Sequence, residues 1–263
     1  MKIWYQSTLD FDHHPNYGKA LRNHFARVAT PGTEVVLKGR DSDLGRGLMA
    51  PDVIGSPIVY HSIVAPVFVR AVMAAEKDGA KAFIVGSFSE PILPELRSLA
   101  TIPIVSMAEA TFLAAASVAP AIGLVTLNPL VVPLLVKSIA LHKFKERISG
   151  IGVVPGNIAE HELEGAFAKP RPYLEHLIAA VREQIAKGAQ AVIPAEGVLG
   201  VLAAENGLNN VDGVPIIDAI GTPVLFAEFA VALAERTGVR QSRAAYPLPS
   251  PQAMKVLAGI ASS

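Results

Sequence analysis

The chain states one short pattern twice. Residues 79–87 read Gly-Ala-Lys-Ala-Phe-Ile-Val-Gly-Ser, and residues 188–196 read Gly-Ala-Gln-Ala-Val-Ile-Pro-Ala-Glu. Each copy is a glycine break, an apolar run of strand length and a polar residue at its end, Ser87 in one and Glu196 in the other. A glycine ahead of a short apolar run reads as the close of a helix followed by a buried strand. Two more pairs keep the same order: Ile102-Pro103-Ile104-Val105 with Val214-Pro215-Ile216-Ile217, and Ile3–Gln6 with Ile122–Val125. Any two strand–helix units share composition, so one match would carry little. Three in one order point to duplication of a whole α/β unit, with insertions absorbed in loops.

The rest of the chain alternates short apolar runs with helical-period segments, the pattern of an α/β protein with mainly parallel sheets. Expected strands are Ile3–Gln6, Thr33–Leu37, Ala82–Val85, Ile102–Val105, Ile122–Val125, Ile151–Val154, Ala191–Pro194 and Val214–Ile217. Expected helices are Asn16–Val28, Val64–Lys77, Pro94–Leu99, Glu109–Ala116, Pro129–Leu141, Ile158–Phe167, Tyr173–Lys187, Val198–Glu205 and Val224–Thr237. Arg40–Pro57, rich in Gly and Pro, reads as a long loop, and the Pro- and Ser-rich tail as irregular. The fold expected is therefore two similar α/β domains related by pseudo-two-fold symmetry, with a cleft between them. Residues 1–112 with 218–263 would form the first, and 113–217 the second.

Composition narrows the chemistry. Half the residues are hydrophobic (51%) and only 17% are charged, which implies a large core and buried subunit contacts, hence a homo-oligomer. Lys+Arg and Asp+Glu balance at 23 each, so no basic stripe argues for nucleic acid. With no cysteine, disulfides, thiolate catalysis and Cys-ligated metals are excluded. No His/Asp/Glu spacing suggests a metal site and no Gly-rich loop follows a strand as a phosphate site would, so no cofactor is expected. Gly45-Arg46-Gly47 lacks that context. The opening lacks a secretory h-region, and the longest apolar stretches, Ala110–Val125 and Leu130–Ala140, are interrupted short of a membrane span. A cytoplasmic protein acting on a small molecule is the expectation.

In open α/β sheets, ligands gather at the carboxyl ends of the strands, where helix N-termini converge. Gly86-Ser87-Phe88-Ser89-Glu90-Pro91 resembles the first active-site loop of the aspartate/glutamate/hydantoin racemase superfamily, a Gly-Cys-Phe motif followed by a polar, Pro-containing turn. Ala195-Glu196-Gly197 stands where the second Gly-Cys loop would be. Lys2-Ile3-Trp4-Tyr5-Gln6-Ser7 is similar to the opening strand of the hydantoin racemase branch. Ile102–Val105 leading to Glu109-Ala110 is similar to the strand and Glu-Ala helix start that follow the first motif.

The resemblance implies a cofactor-independent isomerase acting by proton transfer on a small carboxylate or cyclic imide. The family's racemases use two cysteines as a matched acid/base pair, and those positions are Ser87 and Glu196 here. A Ser hydroxyl is a far weaker acid than a thiol of pKa about 8.5 and makes no unaided base toward a carbon acid. Glu196 can be a base, the more so if burial raises its pKa. An asymmetric site suits one-sided proton transfer, and equally a hydrolase or lyase with Glu196 activating water; a binding protein without turnover is a third reading.

Each candidate has a structural alternative. Ser87 could be a nucleophile, donate to an oxyanion or only cap the next helix; Glu196 could be a base or a solvated helix-start residue. Gln6, Ser7 and Thr126 end paired strands and could bind a substrate carboxylate, although Thr126 could instead cap a helix. Phe88 and Gly197 could offer backbone N–H groups. His61, in Tyr60-His61-Ser62, could orient substrate or lie on the surface. Glu109 and Asp218 are lesser candidates at helix starts, and His13-His14 could reach a pocket mouth. His24, His142, His161 and His176, near charged residues on or beside helices, read as solvated.

Overall fold

The computed structural model describes residues 1–41, 53, 56–155 and 162–262. The loop expected between Arg40 and Pro57 lies largely outside them, as do Gly45-Arg46-Gly47, His161 and the start of the helix expected from Ile158.

The first half runs β1 (Lys2–Ser7), α1 (Pro15–Val28), β2 (Glu34–Lys38), α2 (Pro57–Lys77), β3 (Ala82–Gly86), α3 (Leu93–Leu99), β4 (Ile104–Ser106) and α4 (Met107–Val118). The second runs β5 (Ile122–Thr126), α5 (Val132–Leu141), β6 (Ile148–Val153), α6 (Leu163–Ala166), α7 (Arg171–Ala186), β7 (Ala191–Pro194) and α8 (Gly197–Glu205). A hairpin of β8 (Asn210–Val211) and β9 (Val214–Pro215), then α9 (Gly221–Thr237) and α10 (Pro251–Ser262), complete the chain.

Two parallel sheets result, ordered β2-β1-β3-β4 and β6-β5-β7. Ile216 adds a parallel bridge to Val192 on the open side of β7. The second sheet thus repeats the first, with β5, β6, β7 and Ile216 in the places of β1, β2, β3 and β4. The paired glycines behave alike: Gly79 and Gly188 turn the chain out of α2 and α7 at φ 76° and 97°, a backbone region that other residues enter only with strain. The copies also share a cap. Ser106 Oγ accepts the Glu109 N–H at the start of α4, and Asp218 Oδ1 accepts the Ile220 and Gly221 N–H groups at the start of α9.

Three expectations need correction. Val214–Ile217 is not a parallel strand. Asp212 and Gly213, both at positive φ, close an antiparallel hairpin instead, and Ile216 alone reaches the sheet. The tail contains helix α10, which packs on α2, with Met254 and Leu257 against the apolar cluster that α2 shares with the first sheet. Helix α2 begins at Pro57 rather than Val64, because Pro57 suits a first helical turn and the internal Pro66 does not end the helix. At 21 residues with mean hydropathy 1.7, α2 is long and apolar enough to cross a membrane by length and composition. Its Tyr60, Val64, Phe68, Val72 and Ala75 are instead buried with Trp4 and Phe83 of the first sheet.

A single apolar cluster runs through both halves, from Tyr5 and Ile84 to Leu124 and Ile193. Helix α9 leaves the second half and packs on α1, α4, β3 and β4. Helix α1 in turn packs on α8, so the loops beyond β1 and β7 are brought together.

Candidate active site at the strand tips

Glu196 follows β7 in extended conformation (φ −157°, ψ 140°) and occupies the N-cap position of α8. It does not cap that helix. Its Oε2 accepts from Thr126 Oγ1 at 2.9 Å and from the Leu127 N–H at 2.8 Å, both at the tip of neighbouring β5. Burial pushes the Glu196 carboxyl above the ordinary range, against the opposing pull of the Leu127 N–H, the Thr126 hydroxyl and the Asn128 N–H. Because Glu196 makes no cap hydrogen bond, the first-turn N–H groups of α8, beginning at Gly197, carry the helix's partial positive charge toward the strand tip. A Cβ at Gly197 would lie 2.4 Å from the Tyr17 hydroxyl, so glycine is what lets α1 approach this loop.

On the first half, Ser87 follows β3 beside Ser7 of β1, whose strand partner is Gly86. Ser87 Oγ lies 2.7 Å from Ser89 Oγ and accepts the Ser89 N–H; Ser89 Oγ in turn bonds the Tyr60 hydroxyl of α2. Ser87 caps no helix, since α3 starts beyond Ile92. A chain of three hydroxyls therefore ends at the Ser87 tip. Burial pushes the Tyr60 phenol well above its ordinary pKa, so it stays protonated and able to donate into this chain.

The turn carrying Ser87 is held from below. The Ser87 carbonyl accepts the Glu90 N–H, and Glu90 and Ile92 sit at φ 47° and 45°, which costs a non-glycine residue about 1–3 kcal/mol. The Glu90 carboxylate accepts from Ser106 and Ser138 and pairs with His142 Nε2 at 2.6 Å. His142 Nδ1 lies 3.5 Å from Glu109, which pairs with Arg97. Burial pulls the His142 imidazolium down, but hydrogen bonds and charge from Glu109 and Glu90 outweigh it and push the pKa up to about 9. Burial likewise opposes ionisation of Glu109, and His142 and Arg97 override it, holding the carboxyl at about 2.

Two histidines read as solvated are thus buried partners. The His142 side chain is 5% exposed, and His24 pairs with Asp218 at 2.7 Å while accepting from Arg27. Asp218 and Glu109 are both committed to these pairs. His176 is exposed.

The remaining candidates divide. Thr126 joins Glu196. Ser7 Oγ accepts the Leu9 N–H, shaping the loop after β1. Gln6 donates to the Gly39 and Ser7 carbonyls and accepts from Trp4, tying β1 to the turn after β2 rather than facing a guest. Phe88 is buried in the shared core. His61 is exposed on α2, edge-on to Tyr60, and it is Tyr60 that reaches the Ser87 loop, because adjacent helical residues point about 100° apart. His13 and His14 fold back on Asp10. Among the described residues, no three His, Asp or Glu side chains are grouped to hold a metal ion. Tyr60, Ser89, Glu90 and His142 carried no sequence signal beyond the resemblance of the Ser87–Pro91 segment.

Comparison with known proteins gives a consistent result. The sequence pattern of the Asp/Glu/hydantoin racemase family matches residues 39–225. A hydantoin racemase from a Pseudomonas species is 25% identical over 179 residues, covering 68% of each chain. Two solved structures of allantoin racemases share the fold across 95% of this chain, each with a TM-score of 0.75. That from Klebsiella pneumoniae is 20% identical with 94% of it covered, and that from Pseudomonas fluorescens 21% with 98% covered. A glutamate racemase from Thermus thermophilus aligns with 98% of this chain and 91% of its own at TM-score 0.58 and 17% identity.

Proposed function

The chain belongs to the Asp/Glu/hydantoin racemase family, and from that premise we propose that it moves a proton at the carbon α to a carbonyl of a cyclic imide such as a hydantoin, using Glu196 as base. The observation that carries this reading is the Glu196 carboxylate. It is half-buried, raised in pKa, anchored through Oε2 by Thr126 and Leu127, and set at a helix start that it does not cap. A base poised nearer neutrality is what carbon-acid chemistry needs, and positive N–H groups favour the enolate oxygen that forms. Ser87, aligned by Ser89 and Tyr60, donates a hydrogen bond from the other half; it stabilises charge rather than removing protons. The role of each half also supports treating residues 1–112 with 218–263 as one unit and 113–217 as the other.

The test is incubation of the enzyme with a single hydantoin enantiomer in deuterium oxide. Deuterium is expected at the α-carbon, with exchange outrunning inversion because only one face carries a base, and Glu196→Gln abolishing both. Absence of exchange in the wild-type protein defeats the proposal. Ring-opened product without exchange supports the second reading, in which the same carboxylate activates water.

A further inference from the structure

Away from Ser87 and Glu196 lies a cavity of about 450 Å³, within the roughly 300–1,000 Å³ typical of small-molecule sites. Its floor is the end of β4 and the start of α4, one wall is α9, and the other is the segment after α9. None of Ser87, Ser89, Tyr60, Thr126 or Glu196 lines it.

Its chemistry is specific. Leu113, Phe226, Phe229 and Leu233 make an apolar wall. The charged residues in the lining are Arg97, Arg240 and Glu109, a net charge of plus one; Arg97 and Glu109 already pair with each other, which leaves Arg240 exposed and unpaired among the described residues. Gln241 adds a second unmet donor. Its Oε1 accepts from Arg243, which fixes the amide, and its Nε2 is buried with no acceptor among the described residues. An unmet buried donor carries a penalty that a guest acceptor removes. The wall is also firm. Arg243 bonds the carbonyls of Arg97, Ala100 and Tyr246, and the Tyr246 ring lies 5.8 Å from the Arg97 guanidinium.

We propose that this cavity binds a small monocarboxylate with an apolar body, its carboxylate held by Arg240 and the Gln241 amide and its body against Phe226 and Leu233. The opposite polarity is disfavoured, because a cation would face an unneutralised guanidinium and leave the Gln241 donor unmet. The site is separate from the proposed proton-transfer site, so it does not rest on that reading.

The probe is 3-phenylpropionate, with neutral 3-phenylpropionamide as its isostere, titrated by calorimetry into the full-length protein. Saturable one-to-one binding of the carboxylate is expected, with the amide weaker by about tenfold or more. Arg240→Ala, at an exposed position, should weaken the carboxylate by a similar factor, with Arg240→Lys restoring most of it. Ala230→Trp, which fills the cavity, should abolish binding with circular dichroism unchanged, and Glu196→Gln should bind as the wild type does. The proposal is overturned by equal affinity for acid and amide, by no saturation below about 10 mM, or by loss of binding in Glu196→Gln. It also falls if the protein is a dimer in solution and binds the carboxylate only on dilution to monomer, for then a second copy is what covers this face.

Discussion

Replacing His142 with Gln tests whether the buried cluster beneath the Ser87 turn is held by charge. In the wild-type protein two carboxylates, Glu90 and Glu109, face two cations, His142 and Arg97. The substitution keeps a hydrogen-bonding side chain but removes one positive charge, leaving Glu90 with only the Ser106 and Ser138 hydroxyls. Breaking a buried pair by removing one partner costs about 3–5 kcal/mol. The shift of His142 from 6.5 to about 9, at 1.36 kcal/mol per unit, independently indicates about 3 kcal/mol. At roughly 2–4 °C per kcal/mol for a chain of this size, the melting temperature should fall by roughly 6–20 °C.

The pH dependence fixes the cause. A histidine whose folded pKa is raised contributes fully below its unfolded value of 6.5 and loses that contribution as pH rises through about 9. Glu109, lowered from 4.5 to about 2, contributes above 4.5 and loses it as pH falls through about 2. The gap between wild type and His142→Gln, read by urea denaturation, should be widest between these limits, near pH 6, and shrink near pH 10. A gap under about 1 kcal/mol at pH 6, or an equal gap at both pH values, refutes the charge argument. The double variant Glu90→Gln/His142→Gln, which removes both charges, should recover part of the loss.

Three further outcomes are expected. Glu196→Gln should be at least as stable as wild type at pH 7 by thermal melting, because a buried acid with a raised pKa favours its neutral form and costs stability as pH rises through that pKa; a clear fall in melting temperature counts against it. Gly86→Ala should destabilise by about 1–3 kcal/mol or more in urea, since its Cβ would lie 2.3 Å from Cε1 of the fully buried Tyr5 and 2.7 Å from the Gln6 carbonyl; an unchanged midpoint would contradict the packing. Tyr60→Phe should lower α-proton exchange with little effect on substrate affinity, as it removes a donor behind Ser87 but no expected substrate contact; a change confined to KM would place Tyr60 elsewhere in the reaction.

The repeated architecture was legible because repeated elements leave marks in local sequence. Gly79 and Gly188 both need positive φ, and the apolar runs after them are parallel strands in matching places, β3 beside β1 and β7 beside β5. The equivalence reaches further than the strands, since Ser106 and Asp218 cap α4 and α9 from corresponding places. Helix α10 was hidden by its Pro- and Ser-rich approach, and among its described side chains the half-buried Met254 and Leu257 mark the inward stripe. The His142 cluster was illegible for a different reason. Its members are separated by up to 52 residues, and His142 lies close to Lys143, Lys145 and Glu146, a setting that locally means solvent. Only the packing of α5 beneath the first loop turns it inward.

Repetition of the backbone did not bring repetition of the electrostatics, and the difference orders the two tips. At the second, the cap position of α8 is filled by a residue whose carboxylate bonds to β5 instead, so burial and an open helix start act on the same small volume. Burial favours the neutral acid and the helix start favours negative charge, a combination that suits a group passing a proton to and fro while charge builds on a neighbouring oxygen. At the first tip the nearest ionised groups, Glu90, His142, Glu109 and Arg97, are matched among themselves, and what reaches Ser87 is a run of neutral hydroxyls. Neutral donors can stabilise an oxyanion at little reorganisation cost but are poor carriers of a proton to carbon. The division of labour in the proposed reaction therefore follows from where each half has left its charge unpaired.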